Sequence, residues 1–298
     1  MLKRNRTVVL ALTLVSAPAL AEEPGFAIHG VAEPELAQLP SRTLHLRPIE
    51  TAAPDESDAD ELLSKSARAA SDGFLSPFTS PAAITKLRAT ASTVVGYDTA
   101  AAAPRARATA DAKITNFLAL RVEFDHGPAT GAEDRLSVGA RFALLEQRRY
   151  GVDLGVGLFY QPKDFRGEGN AVAGLLVARH FDRLGLFANA LFGTDGEGDD
   201  QSAELRLGTL YRANTWLSVG LDGRSRLNLS QDSKRWNARN IDWELQAAPT
   251  AIFCLGQFSV MALFGPSFLK ESLPPGELNR ASSLHSGLLA MAGAGSAF

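Results

Sequence analysis

Few residues of this 298-residue chain are placed for catalysis, and many are placed to carry charge. Five histidines, His29, His45, His126, His180 and His285, are the available general bases. Nucleophilic hydrolysis needs a hydroxyl within hydrogen-bond reach of such a base. His285 and Ser286 are neighbours in an alternating segment, so they point to opposite faces. Asp125-His126 offers half of a dyad, with no serine at a spacing that completes it. No catalytic residue is assigned, and an enzyme is the weakest of the functional classes considered. The loop "GTDGEGDDQ" (193–201) carries Asp195, Glu197, Asp199 and Asp200. Such an oxygen-rich set could hold Ca²⁺, but it lacks the length and terminal Glu of an EF-hand loop. A solvated loop is the plainer explanation, and no metal or cofactor is expected. "DSKRWNAR" (232–239) is basic with one tryptophan and could touch phosphates; an exposed loop again suffices.

The largest charged set alternates with apolar residues. It includes Arg105, Arg107, Lys113, Arg121, Arg141, Arg206, Arg224 and Arg226, with Glu123, Asp222, Asp242 and Glu244 among its carboxylates. Where these groups point depends on the elements that carry them. In "FLALRVEFD" (117–125), Leu118, Leu120, Val122 and Phe124 share one parity and Arg121, Glu123 and Asp125 the other. Alternation of this kind places successive side chains on opposite faces of a strand. Twelve such strands are predicted, at about 84–97, 104–114, 117–125, 135–145, 150–161, 170–181, 184–193, 203–212, 215–228, 241–253, 256–266 and 285–298. The gaps between them are 6, 2, 9, 4, 8, 2, 9, 2, 12, 2 and 18 residues, long and short in turn. That rhythm predicts an all-β, up-and-down antiparallel barrel through a membrane, with tight turns on one rim and free loops on the other.

The aromatics fit this arrangement. On the apolar parity, Tyr97, Phe124, Tyr160, Phe192, Trp243 and Phe264 fall near the long-loop rim. Tyr150, Tyr211, Phe253, Phe258 and Phe298 fall near the short-turn rim, which makes two girdles. Trp216 and Phe117 fall on the inner parity and break the pattern. Strand 170–181 is apolar on both parities and is left unoriented; if its Arg179 faces lipid, it must sit near an interface. Ten or fourteen strands remain alternatives to twelve. Pro249 removes a ladder donor inside a strand, so a bulge is expected there.

The ends specify location. "MLKRNRTVVLALTLVSAPALAEEP" has the charged, apolar and A-x-A parts of an export signal, which predicts cleavage after Ala21. Loss of Lys3, Arg4 and Arg6 takes the formal charge from -3 to -6, with no basic patch for nucleic acid. The single cysteine, Cys254, excludes an internal disulfide. Residues 22–83 hold many prolines and the acidic run "DESDADE" (55–61). They are predicted to be a mostly disordered periplasmic extension, with "GFLSPF" (73–78) tucked into the barrel as the alternative. Such an extension could also plug the bore.

The chain closes on "LHSGLLAMAGAGSAF", whose Phe298 stands on the apolar parity with Ala294, Ala292, Ala290 and Leu288 above it. Over 84–298 the sequence resembles Gram-negative outer-membrane β-barrels, which typically end in an aromatic. The resemblance implies that Phe298 serves as a signal to the barrel-assembly machinery; the even strand number puts both termini on the short-turn rim, which export makes the periplasmic one. Outer-membrane lipid and lipopolysaccharide are then the surrounding partners, and a monomer is expected.

On the inner parity, twelve positive and eight negative residues are counted, a density that lipid would not tolerate at about 2–4 kcal/mol each. Arg105 and Arg107 are expected to pair with Glu123 and Asp125. Inward glycines, Gly155 and Gly208 among them, suggest space for water. The function expected is a narrow passive channel for small polar or anionic solutes. A structural or adhesive barrel with a closed, self-paired lumen is the alternative, followed by a lipid-acting barrel enzyme.

Overall fold

The computed structural model describes residues 64–84, 87–127, 134–163, 168–198, 201–229, 240–272 and 283–298. Twelve strands run in chain order: β1 (Ala89–Asp98), β2 (Ala103–Lys113), β3 (Leu118–His126), β4 (Asp134–Leu145), β5 (Asp153–Lys163) and β6 (Glu168–Phe181), then β7 (Leu184–Thr194), β8 (Gln201–Arg212), β9 (Leu217–Asn228), β10 (Asn240–Leu255), β11 (Phe258–Ser272) and β12 (Ser283–Ala297). Two short helices join them, α1 (Lys65–Ser71) and α2 (Gln147–Tyr150). Each strand pairs antiparallel with its chain neighbours, and β1 pairs with β12, so the sheet is a closed barrel. At the seam the Phe298 N–H donates to the Ala89 carbonyl at 2.9 Å, and its own carbonyl accepts from the Arg88 N–H at 2.9 Å. The last residue is thus sheet backbone, with its ring exposed outside.

Closure leaves no unpaired edge, which is what allows a sheet to cross lipid. The outer face is apolar and exposed along its height, with Val95, Leu158, Leu175, Leu221, Val260 and Leu288 all outward. Both expected girdles face outward. Trp216 and Phe117 join the short-turn girdle after all, because they lie in the turns 213–216 and 114–117 rather than within strands. Trp216 stacks on Phe253 with ring centroids 6.1 Å apart.

Several expectations are corrected. The barrel begins at Ala89, and described residues before it belong to a separate segment. Connections on one rim are 99–102, 127–133, 164–167, 195–200, 229–239 and 273–282; on the other they are 114–117, 146–152, 182–183, 213–216 and 256–257. The long-short contrast therefore holds for the later strands and fades among the first four, because strand ends were misplaced by a few residues. β6 is oriented by its pairing: Leu176 and Ala178 are buried, while Leu175 and Arg179 face outward. Arg179 sits close to the turn 182–183, with its guanidinium 4.6 Å from the centroid of Phe181. No bulge forms at Pro249. It pairs with Leu221 of β9, and the β10–β11 register is the same on both sides of 247–249. The register shift lies instead between Ile241 and Trp243, with Asp242 as the extra residue. Pro249 and Pro266 both lie where the β10–β11 ladder lapses, so their missing donors are absorbed locally.

Candidate functional site

The bore is occupied by the protein's own chain. Residues 64–83 enter beside the β10–β11 turn, rise to mid-height, and return toward the start of β1. Local chemistry shapes this segment. Ser64 caps α1 by accepting from the Ala67 N–H at 3.2 Å. Ala67, Ala69 and Ala70 give the helix a narrow, fully buried side. Gly73 leaves it at φ +80, a conformation that favours glycine, against the ring of Phe187. The Ser76 hydroxyl accepts from both the N–H (3.1 Å) and the hydroxyl (2.7 Å) of Thr79, which closes a turn.

The barrel holds the segment largely by its backbone. The Ser66 N–H donates to the Gly256 carbonyl at 3.1 Å. Asp222 accepts from the Ser76 hydroxyl and, at 3.2 Å, from the Phe78 N–H. Asn189 grips both backbone polar groups of one residue, accepting from the Ser80 N–H (2.6 Å) and donating to the Ser80 carbonyl (2.8 Å). Arg141 donates to the carbonyls of Pro81 and Ala83 and lies 5.4 Å from the centroid of Phe74. Arg224 sits at the same distance over Phe78. Phe74, Leu75 and Phe78 are buried among apolar inward residues that include Leu176, Ile252, Met261 and Leu289. Burial of each such side chain contributes about 1.5–3 kcal/mol.

The expected disorder of 22–83 thus fails for its last part, and the alternative placement of "GFLSPF" is the one observed. Residues 22–63 lie outside the described residues. Two of the inward glycines, Gly155 and Gly208, make room for the chain rather than for water. A Cβ on Gly155 would stand 2.7 Å from the Ala82 carbonyl oxygen, and one on Gly208 2.9 Å from Thr79 Cγ2.

Beside the inserted segment and beyond it, the wall is a lattice of paired charges. Arg107 bridges Glu123 (2.8 Å) and Asp125 (3.6 Å), as its position predicts. Arg105 does not; it bridges Asp98 (3.0 Å) and Glu244 (2.6 Å). Arg121 and Arg141 share Asp111 at 2.6 and 2.8 Å. Arg206 reaches Glu204 (2.6 Å) and Glu123 (2.9 Å). Arg224 bridges Asp125, with Glu244 at 3.6 Å. Arg226 is buried, with Glu204 and Glu244 as its register partners on either side. Lys113 and Asp242 are half-buried near opposite ends of the bore.

Two residues escape the sequence pattern. Asp98 is fully buried and accepts from the Ala100 N–H, Arg105, Gln246 and Ser267. It lies one residue past the predicted end of the first strand, which runs one residue further in the structure. Asn189 is one polar residue in an apolar strand, and its inward parity is the signal that marks it. A small recess of about 30 Å³, room for a water or two, lies beside the inserted segment. Its lining includes Ser80, Glu123, Arg135, Ser137, Gln161 and Arg206.

The other candidate chemistry is thinner. Asp199 and Asp200 lie outside the described residues, as does the loop 232–239; Asp195 and Glu197 follow β7. His285 and Ser286 do face apart, but Ser283, two residues away on the same face, lies 2.8 Å from His285 Nε2. Glu271 lies 3.7 Å from that same nitrogen. A hydrolytic relay needs the carboxylate on the opposite ring nitrogen from the nucleophile, and this arrangement lacks it.

No family model matches the chain, and no curated protein matches it. Solved structures similar to it include the NanC porin (10% identity, TM-score 0.49, 70% of this chain and 99% of that one). The KdgM porin gives 8% identity and a TM-score of 0.46, over 70% of this chain and 99% of that one. The COG4313 outer membrane channel from Pseudomonas putida F1 gives 10% and 0.44, over 72% and 97%. At such low overlap these likenesses decide nothing; the closed strand order, the apolar exterior and the two girdles do. The chain folds as a twelve-stranded β-barrel of the outer-membrane type, with its own residues 64–83 inside the bore.

Proposed function

We propose that this protein is a gated passive channel of the outer membrane for small polar or anionic solutes. In the state described here, residues 64–83 close it. The observation that carries this reading is the inserted segment itself, whose Ser80 lines a small recess together with Arg135, Gln161 and Arg206 of the wall. The strands hold that segment by hydrogen bonds and contacts, with no disulfide across the bore. The segment enters and leaves by one rim, so it can withdraw without threading. A second reading, a structural or adhesive barrel with a closed lumen, is favoured by the ion pairs that span the bore. Export through the signal at 1–21, periplasmic termini and a role for Phe298 in assembly belong to the same proposal.

Planar-bilayer conductance separates the two readings. The mature chain is expected to show rare openings. A chain lacking 22–83, folded as judged by heat-modifiable migration, is expected to conduct steadily. A folded truncated barrel with no unitary conductance would favour the structural reading.

A further inference from the structure

The turns of the short-turn rim differ in charge, although Lys113 and Arg212 at the ends of β2 and β8, and exposed Arg88 and Lys65, bring single cations to the same rim. The turns 114–117 (Ile-Thr-Asn-Phe), 213–216 (Ala-Asn-Thr-Trp) and 256–257 (Gly-Gln) carry no ionisable residue. The turns 146–152 and 182–183 carry Arg148, Arg149 and Arg183, and Arg179 lies outward just before the second of them. All four arginines are exposed, against the exposed carboxylates Glu146 and Asp182. These turns are neighbours on the rim, because β4, β5, β6 and β7 are consecutive in the barrel. They are also tied together. The Gln147 side chain donates to the His180 carbonyl and accepts from the His180 N–H, both at 2.6 Å, which holds α2 against the end of β6. Gln147 N–H donates to Asp153 at 2.8 Å, fixing the start of the turn as well. Exposed Tyr150 and Phe181 flank the patch, and Phe181 supports the Arg179 guanidinium.

A group of guanidiniums on tied turns, at the depth of an aromatic girdle, faces one abundant anion, the phosphodiester of a membrane lipid. We propose that Arg148, Arg149, Arg179 and Arg183 form a binding site for the headgroup of an anionic phospholipid in the leaflet at the short-turn rim. Arginine suits phosphate because its planar donors bond two oxygens at once. The aromatic neighbours place those donors at headgroup level. The outward Arg179 then has a phosphate to meet where its charge would otherwise be costly. This site requires that the barrel span a membrane, and it does not depend on conduction.

The test uses the full mature chain in detergent micelles doped with phosphatidylglycerol or phosphatidylcholine, with retained lipids counted by native mass spectrometry. Phosphatidylglycerol is expected to be retained about tenfold more, in keeping with the attraction of basic residues to anionic lipid. The variant R148Q/R149Q/R179Q/R183Q should lose that preference while keeping heat-modifiable migration. Lys270→Gln, at the opposite rim, should keep it. Equal retention of the two lipids by the folded native chain would overturn the proposal, as would an undiminished preference in the folded quadruple variant. Displacement of phosphatidylglycerol by millimolar inorganic phosphate would also overturn it, since the patch would then be a free-anion site.

Discussion

Arg224 of β9 and Asp125 of β3 form an ion pair across the bore. In a closed ring of twelve, these strands stand six places apart and so face each other. Arg206 of β8 makes a similar crossing to Glu123 of β3 at 2.9 Å. Arg107 of β2 reaches the same two carboxylates and, at 3.4 Å, the Phe78 carbonyl of the inserted segment. The lattice that narrows the barrel and the segment that fills it therefore share an arginine.

That coupling separates charge from blockage. In the chain lacking 22–83, Arg224→Ser alone leaves Asp125 with one counter-charge fewer, and the reversal potential in a salt gradient should move toward cations. The shift should be larger at low salt, where screening is weak. Loss of one partner from a buried pair costs about 3–5 kcal/mol, so a lower unfolding temperature should accompany it. The pair R224Q/D125N removes one charge of each sign; it should leave the reversal potential near its starting value and raise the conductance. An unaltered conductance in the double variant would mean that this crossing does not limit the bore.

The hold on the segment can be weakened from the wall. Asp222→Ala removes the acceptor used by the Ser76 hydroxyl and the Phe78 N–H. Buried groups left unpaired cost about 1–3 kcal/mol. Trypsin cleavage after Lys65 or Arg68 in the folded barrel should accelerate by about tenfold or more, at about 1.4 kcal/mol per tenfold. Unchanged cleavage would show that Asp222 does not restrain the segment.

It can also be weakened from the segment itself. Gly73 has φ +80, and a Cβ there would lie 2.5 Å from Phe187 Cε1. Gly73→Ala should cost about 1–2 kcal/mol through backbone strain, before the contact with the ring is counted. Because no strand is altered, barrel stability should hold while channel openings in the full chain become more frequent. A thermal transition lowered with no gain in openings would contradict this.

The girdle gives a depth gauge. Trp216 is stacked on Phe253 in a turn of the short-turn rim. With Trp236 and Trp243 replaced by phenylalanine, its emission in vesicles should be quenched more by bromines near the headgroup than by bromines near the chain ends. Equal quenching, or none, would remove Trp216 from the interface.

Alternation along the chain is enough to find the strands and to face most of them, β6 excepted. Side-chain direction alternates along any strand whatever surrounds it, so the parity of Leu120, Arg121 and Val122 was legible without a partner. The same local rule placed Phe298 outside and Arg141 inside. Tertiary structure alone decided what an inward side chain meets. Parity says that Arg224 and Asp125 face the bore, but their contact exists only because twelve strands close into a ring narrow enough for an arginine to cross. The same holds for the inserted segment. "GFLSPF" has too little apolar surface to order itself, and its burial depends on Asn189, Asp222 and Arg141, which lie far apart in sequence and converge only in the closed barrel. Inward glycines likewise state that space exists and not what occupies it. Asp98 and the bulge at Asp242 sit at strand ends, where alternation stops and pairing with the neighbouring strand sets the geometry.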